Sequence, residues 1–109
     1  MNEARLTQLL AFLKEDPNDA FTLYAIATEY LKSDRQKARK YFEILLEKHP
    51  EYVATYYHAA HLYWDLELHS EAVQTFEQGI AHAREQGDAL ALRELQNAYQ
   101  QYQFEMDED

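Results

Sequence analysis

The stretch YYHAAHLYW, residues 56–64, contains four aromatic residues, two histidines and two adjacent alanines, and neither Gly nor Pro. On a helix, four of these residues lie on one stripe, at spacings of three, one and three: Tyr56, Ala59, Ala60 and Tyr63. Small residues let two helices approach closely, and large ones beside them fill the remaining gaps. The stretch therefore predicts a helix with one buried face and a second face that the core does not require.

Apolar residues recur three and four positions apart along the rest of the chain, which favours helices throughout. Signals for strands are weak, because no Asn-Gly or Asp-Gly turn lies between alternating apolar residues. We interpret the few Gly and Pro residues as breaks: Pro17, Pro50, Gly79 and Gly87. The pattern predicts six helices, and their short connections imply that successive helices are antiparallel. The predicted helices are residues 3–15, 19–32, 35–48, 52–66, 70–85 and 88–105.

The chain repeats itself with a period of 33 or 34 residues. The pairs that show this are Pro17 and Pro50, Tyr30 and Tyr63, Ala38 and Ala72, and Phe42 and Phe76. A period in this range is typical of a helical solenoid, in which each unit buries its apolar face on its neighbour.

With these residues the chain resembles a tetratricopeptide repeat (TPR) protein. LYAIATEY at 23–30 and YYHAAHLY at 56–63 match the first helix of two repeats, and LRELQNAY at 92–99 resembles a further first helix. ARKYFEILLEKHP at 38–50 and AVQTF at 72–76 match the second helices. The chain departs from the family pattern at Arg84, where Pro would end the second repeat, so we expect that helix to extend to Gly87. It departs again at Gln96, which replaces a small residue.

The resemblance implies an all-α fold, a right-handed stack of about six antiparallel helices with two full repeats flanked by half repeats. We expect a single domain over residues 1–109. Its parts are an N-terminal half repeat or capping helix at 1–17, repeat 1 at 18–50, repeat 2 at 51–87, a C-terminal capping helix at 88–105 and an acidic tail at 106–109. Asp88 follows Gly87 and is the expected N-cap of the last helix.

The charge and composition exclude several functions. The chain contains twenty Asp and Glu and ten Lys and Arg, which gives a formal net charge of −10. This charge argues against a nucleic-acid or acidic-membrane partner. No Cys is present, so disulfides, thiolate catalysis and Cys-based zinc sites are excluded. No apolar run is long enough to cross a membrane. The N-terminal stretch lacks the features of a signal peptide, so we expect a cytoplasmic protein.

In a TPR stack, the non-core face of each first helix lines a concave groove. The residues on that face, which we expect to bind a protein or peptide partner, are Phe21, Tyr24, Thr28, Lys32, Tyr57, His58, His61, Trp64, Asp65, Arg93, Glu94 and Asn97, with Leu90 and Gln101 beside them. Aromatic residues with polar tips are favoured anchors for partners. An alternative is that Trp64 and Tyr24 only pack on neighbouring helices. The Lys, Asn and Arg clamp by which some family members hold a chaperone's C-terminal carboxylate is absent from this face.

Two further hypotheses follow from particular residues. His58, His61 and Asp65 share a helical face, but this spacing is a weak metal or catalytic pattern, so we expect no metal, no cofactor, no catalytic residue and no enzyme. Leu6 and Leu10 lie where the later repeats carry Arg39 and Glu43, then Val73 and Glu77. With Leu9, Phe12 and Leu13 expected to face inward, Leu6 and Leu10 would form an exposed stripe that pairs two copies into a homodimer.

Overall fold

The computed structural model describes residues 2–107 and contains six α-helices and no strand over that range. The helices are α1 (Glu3–Glu15), α2 (Ala20–Tyr30), α3 (Arg35–Lys48), α4 (Ala54–Asp65), α5 (His69–Gln86) and α6 (Ala89–Met106). Each bound lies within two residues of its prediction, so the all-α class is confirmed. The last two residues of the predicted acidic tail, Glu108 and Asp109, lie outside the described residues.

The helix ends follow from local hydrogen bonding. Four helices have an N-cap residue whose side-chain oxygen accepts a hydrogen bond from the backbone N–H three residues further on, at 2.9–3.1 Å. The capping residues are Asn2, Asp19, Asp34 and Asp88. Helix α5 ends at Gly87, whose φ of 70° is the left-handed conformation that glycine adopts without strain. The predicted extension to Gly87 and the predicted cap at Asp88 are therefore confirmed.

The chain divides into two compact units, an N-terminal unit of residues 1–55 and a C-terminal unit of residues 56–109. In the N-terminal unit, α2 packs against both α1 and α3. The core of this unit includes the apolar side chains at the repeat positions of the sequence, all of which are buried: Leu23, Ile26, Ala27, Ala38, Phe42 and Leu45. Tyr30, the large residue at the end of that pattern, is partly buried and stacks on Tyr41 with ring centroids 5.9 Å apart.

In the C-terminal unit, the predicted stripe of α4 is buried: Tyr56, Ala59, Ala60 and Tyr63. The repeat positions of α5, Ala72 and Phe76, are buried as well. We predicted a break at Gly79, and this prediction is wrong. Gly79 is buried in the middle of α5. A Cβ atom added there would lie 2.5 Å from the Cβ of Tyr56, so the glycine allows α4 and α5 to approach closely.

The prediction for α1 was wrong about which leucines face outward. The stripe that α1 packs on the N-terminal core has helical spacings of three, one and three: Leu6, Leu9, Leu10 and Leu13. Leu6 is only 8% exposed, whereas Phe12, which we expected inside, is 53% exposed because it points to one side of this stripe. Leu6 and Leu10 therefore do not form a free apolar stripe, and the reason for a homodimer through them is removed.

No helix within residues 2–107 combines the length and the apolar character that a membrane span requires.

Candidate functional site

One face of α4 carries a row of three rings, which we call the aromatic row: Tyr57, His61 and Trp64. The ring centroids of Tyr57 and His61 are 4.6 Å apart, and those of His61 and Trp64 are 5.7 Å apart with the rings nearly parallel. The three residues are spaced by four and three positions, which places them on one helix face beside the buried stripe. Tyr57 is 36% exposed and Trp64 partly exposed, so the row presents ring surface to solvent.

The ring of Trp64 packs against a side chain of α6. Its ring meets that of Tyr102 edge to face, with centroids 5.0 Å apart. Tyr102 is buried, and its hydroxyl lies 2.9 Å from Nδ1 of His69, a hydrogen-bond distance. The alternative that Trp64 packs on neighbouring helices is therefore correct for the part of the ring that contacts Tyr102.

A pocket of about 680 Å³ opens beside the aromatic row. Helix α4 lines it with the aromatic row and Asp65, and α6 lines it with Glu94, Asn97, Ala98, Gln101 and Glu105. The α6 residues other than Ala98 are spaced by three, four and four, so they share one helix face. The α4 wall of the pocket thus consists of three rings and one carboxylate, and the α6 wall of amide and carboxylate groups around a small residue.

Six of the predicted groove residues line this pocket: Tyr57, His61, Trp64, Asp65, Glu94 and Asn97. Sequence reasoning missed Ala98 and Glu105 as lining residues, and it missed Tyr102 as the support of Trp64. Tyr102 and Glu105 lie beyond Tyr99, where the repeat pattern ends. The signal that finds Tyr102 is its spacing of seven from the buried Leu95, two turns along the same face.

Two predicted residues on these helices do not line the pocket. His58 is partly buried and follows Tyr57, and Arg93 is exposed and precedes Glu94. Each is adjacent to a lining residue, but neither side chain lines the pocket.

Four predicted residues, three on α2 and Lys32 just after its end, belong to the N-terminal unit. Phe21 is exposed, and Tyr24 is partly buried with its ring centroid 5.8 Å from that of Tyr52. The hydroxyl of Thr28 donates to the carbonyl oxygen of Ala25 at 3.0 Å. Lys32 places its Nζ 3.6 Å from the carboxylate of Glu29. A role for these four residues in binding stays a prediction.

Burial holds both histidines of α4 towards the neutral form. It lowers the pKa of His61, and the nearby carboxylate of Asp65 opposes this with a smaller effect. Burial likewise lowers the pKa of His58, with a further contribution from His61 and a smaller opposing one from Glu94. Nε2 of His61 is buried and has no hydrogen-bond partner within the described part of the chain. Burial therefore favours the neutral form of His61 within the aromatic row.

The metal hypothesis finds no geometric support. Within residues 2–107, no group of three or more His, Asp or Glu side chains is placed to hold a metal ion. His58, His61 and Asp65 share a helix face, but they do not converge as a ligand set.

Comparison with known proteins gives matches among solved structures. No protein-family model matches the chain, and no curated protein matches it. The solution structure of a tetratricopeptide repeat domain protein from Salinibacter ruber is 49% identical, with a TM-score of 0.71, over 76% of this chain and 85% of that one. A crystal structure of a tetratricopeptide repeat domain protein from the same organism is 48% identical, with a TM-score of 0.71, over 74% of this chain and 91% of that one.

The helices and their repeat positions define an all-α, TPR-like stack, and the identity to these structures extends the likeness to the sequence. The chain belongs to the tetratricopeptide repeat family.

Proposed function

We propose that this chain is a non-catalytic interaction module that holds a segment of another protein in the pocket lined by α4 and α6. The TPR fold generally mediates protein–protein interactions. The observation that carries the proposal is the aromatic row, which lines a pocket of about 680 Å³ and keeps ring surface exposed. The buried stripe of α4 is formed by other residues, so the exposed ring surface of the row is not needed to complete that stripe.

The geometry of the row supports binding energetically. Tyr57 and Trp64 are large side chains with few rotatable bonds, and contacts with His61 and Tyr102 restrict them further. A side chain that is ordered before binding loses little entropy when a partner covers it. Truncation of a buried aromatic anchor commonly reduces the binding free energy by about 2 kcal/mol or more, which is about a thirtyfold loss in affinity. We expect Trp64 to contribute most, and Tyr57 next.

The composition of the pocket supports binding of a protein segment. The rings of Tyr57 and Trp64 offer contact area, and the amide and carboxylate groups of α6 offer hydrogen-bond partners. TPR domains are typically non-catalytic scaffolds. The net charge of −10 favours a protein partner over nucleic acid.

The test is selection of a displayed library of twelve-residue peptides on the intact protein, followed by titration of the selected peptides. We expect Trp64→Ala to weaken binding about thirtyfold and Tyr57→Ala to weaken it less. Phe104→Ala is a matched control, because Phe104 is an aromatic residue of α6 that is 67% exposed and lies outside the pocket. Circular dichroism must show that each variant is folded. If folded Trp64→Ala and Tyr57→Ala bind the peptides as wild type does, the pocket is not the binding site.

A further inference from the structure

The negative charge of the chain is concentrated in its second half. Residues 56–109 contain eleven Asp and Glu against two Lys and Arg, whereas residues 1–55 contain nine against eight. Nearly all of the net charge of −10 therefore belongs to the C-terminal unit, which contains the pocket. A field of one sign attracts partners of the opposite sign and speeds their encounter.

Three of these carboxylates line the pocket itself: Asp65, Glu94 and Glu105. Among the described residues, no Lys or Arg lies within 4 Å of them. The side-chain amide of Gln101 donates to Glu105 at 3.2 Å, which holds that carboxylate in place without neutralising it. Like charges around one pocket repel each other, and an incoming cation relieves that repulsion.

The aromatic row faces the same space and also suits a cation. A Lys or Arg group is attracted to the face of a Trp or Tyr ring when it lies within about 6 Å of the ring centre. An Arg guanidinium can stack on such a ring while its N–H groups donate to carboxylates, because it is planar and has donors along its edge. Burial favours the neutral form of His61, which adds no positive charge to the row.

From this arrangement we infer that the segment held in the pocket is basic. One of its Arg or Lys side chains lies against a ring of the aromatic row of Tyr57, His61 and Trp64. The carboxylates of Asp65, Glu94 and Glu105, which are spread along the pocket, attract the basic residues of the segment. This inference rests on the proposed function, since it names the chemistry of the segment that the same pocket binds.

The test uses two biotinylated mixtures of twelve-residue peptides, acetylated at one end and amidated at the other. They are identical in all randomised positions and differ only at two central positions, which are Arg in one mixture and citrulline, its uncharged isostere, in the other. Capture by the intact protein is measured for both mixtures. We expect the Arg mixture to bind about tenfold more tightly, from one cation–aromatic contact and partly exposed ion pairs. This preference should shrink as salt is added.

Two triple variants separate the pocket from the general field. Asp65→Asn with Glu94→Gln and Glu105→Gln removes the three pocket carboxylates and should abolish most of the preference for Arg. The matched control is Glu67→Gln with Glu71→Gln and Glu85→Gln, which removes three charges from the same unit outside the pocket lining. It should leave most of the preference intact.

The outcomes distinguish this inference from the proposed function. If both mixtures bind equally and both lose binding in Trp64→Ala, the pocket binds segments without regard to charge, and the basic segment is refuted alone. If the two triple variants lose the preference equally, the overall field causes it and the inference is again refuted. If neither mixture binds, and no displayed peptide is selected either, both proposals fail.

Discussion

Replacing Gly79 with Ala tests how closely α4 and α5 pack. Gly79 lies inside α5, where alanine is more favourable than glycine by about 1 kcal/mol on helix propensity alone. On an exposed helix the change would therefore be stabilising. In this protein the added Cβ would lie 2.5 Å from Cβ and 2.9 Å from Cγ of Tyr56, and 3.2 Å from Cδ1 of Leu95.

The size of the effect follows from which atoms collide. Two carbon atoms are most stable about 3.5–4.0 Å apart, so the contact with Tyr56 must lengthen by about 1 Å. Rotation of the Tyr56 side chain does not relieve it, because its Cβ is attached directly to the backbone of α4. The two helices must separate instead, and overpacking of this kind costs about 1–3 kcal/mol. Taking the upper end and subtracting the propensity gain, we expect a loss of about 2 kcal/mol in the free energy of unfolding.

Urea unfolding followed by circular dichroism measures this loss, and the melting temperature should fall by about 10 °C. Two controls separate the contributions. Gln78→Ala changes an exposed neighbour in the same helix and should be nearly neutral. Gly87→Ala introduces a side chain where nothing lies within 4 Å but φ is 70°, so it should cost about 1 kcal/mol through the backbone alone. A Gly79→Ala protein as stable as wild type, or more so, would refute the close approach of α4 and α5.

Three further predictions concern the core, one loop and the histidines. Phe42→Ala should lower the free energy of unfolding by about 3–5 kcal/mol in a urea titration, since Phe42 is fully buried; a loss under about 1 kcal/mol would contradict this. Glu67→Gly should raise the melting temperature, because Glu67 has a φ of 60° and glycine adopts this without strain; a lower value would contradict it. Burial lowers the pKa of His58 and His61, so the unfolded state binds more protons, and stability should fall as pH drops below about 6.5. Urea midpoints at several pH values should show a smaller fall when both are Gln; an unchanged fall would assign it to other groups.

The sequence predicts most of the fold because its core positions are set by helical spacing and by the repeat. The stripes that end at Tyr30 and Tyr63 are recognisable without any knowledge of their neighbours. The first helix shows where this fails. Leu9 belongs both to the stripe with Leu6 and to the one with Phe12, and both stripes satisfy helical spacing. The surface of α2 against which α1 packs decides between them. The repeat pattern favours the wrong stripe, because it aligns α1 with the second helix of a repeat.

The candidate site is predictable where it lies on the repeat and not where it lies beyond it. The aromatic row follows from the spacing of YYHAAHLYW, because the residues left over from the core must share another face. The support of Trp64 by Tyr102 and the carboxylate of Glu105 come from the end of α6, where the family pattern gives no position to match. The interpretation of Gly79 as a break is wrong for a related reason. The sequence does not distinguish a glycine that ends a helix from one that allows a neighbouring helix to approach closely.

The two faces of α4 also separate stability from binding, to an extent that differs between Tyr57 and Trp64. The core stripe occupies one face of the helix and the aromatic row the next, so a row residue can change while the stripe itself stays intact. Tyr57 contacts only His58 and His61 among the ring contacts described, so its truncation should weaken binding with little loss of stability. Trp64 also contacts Tyr102 of α6, so its truncation should reduce both. The ratio of binding loss to stability loss in these two variants therefore measures how far the row serves a partner rather than the fold.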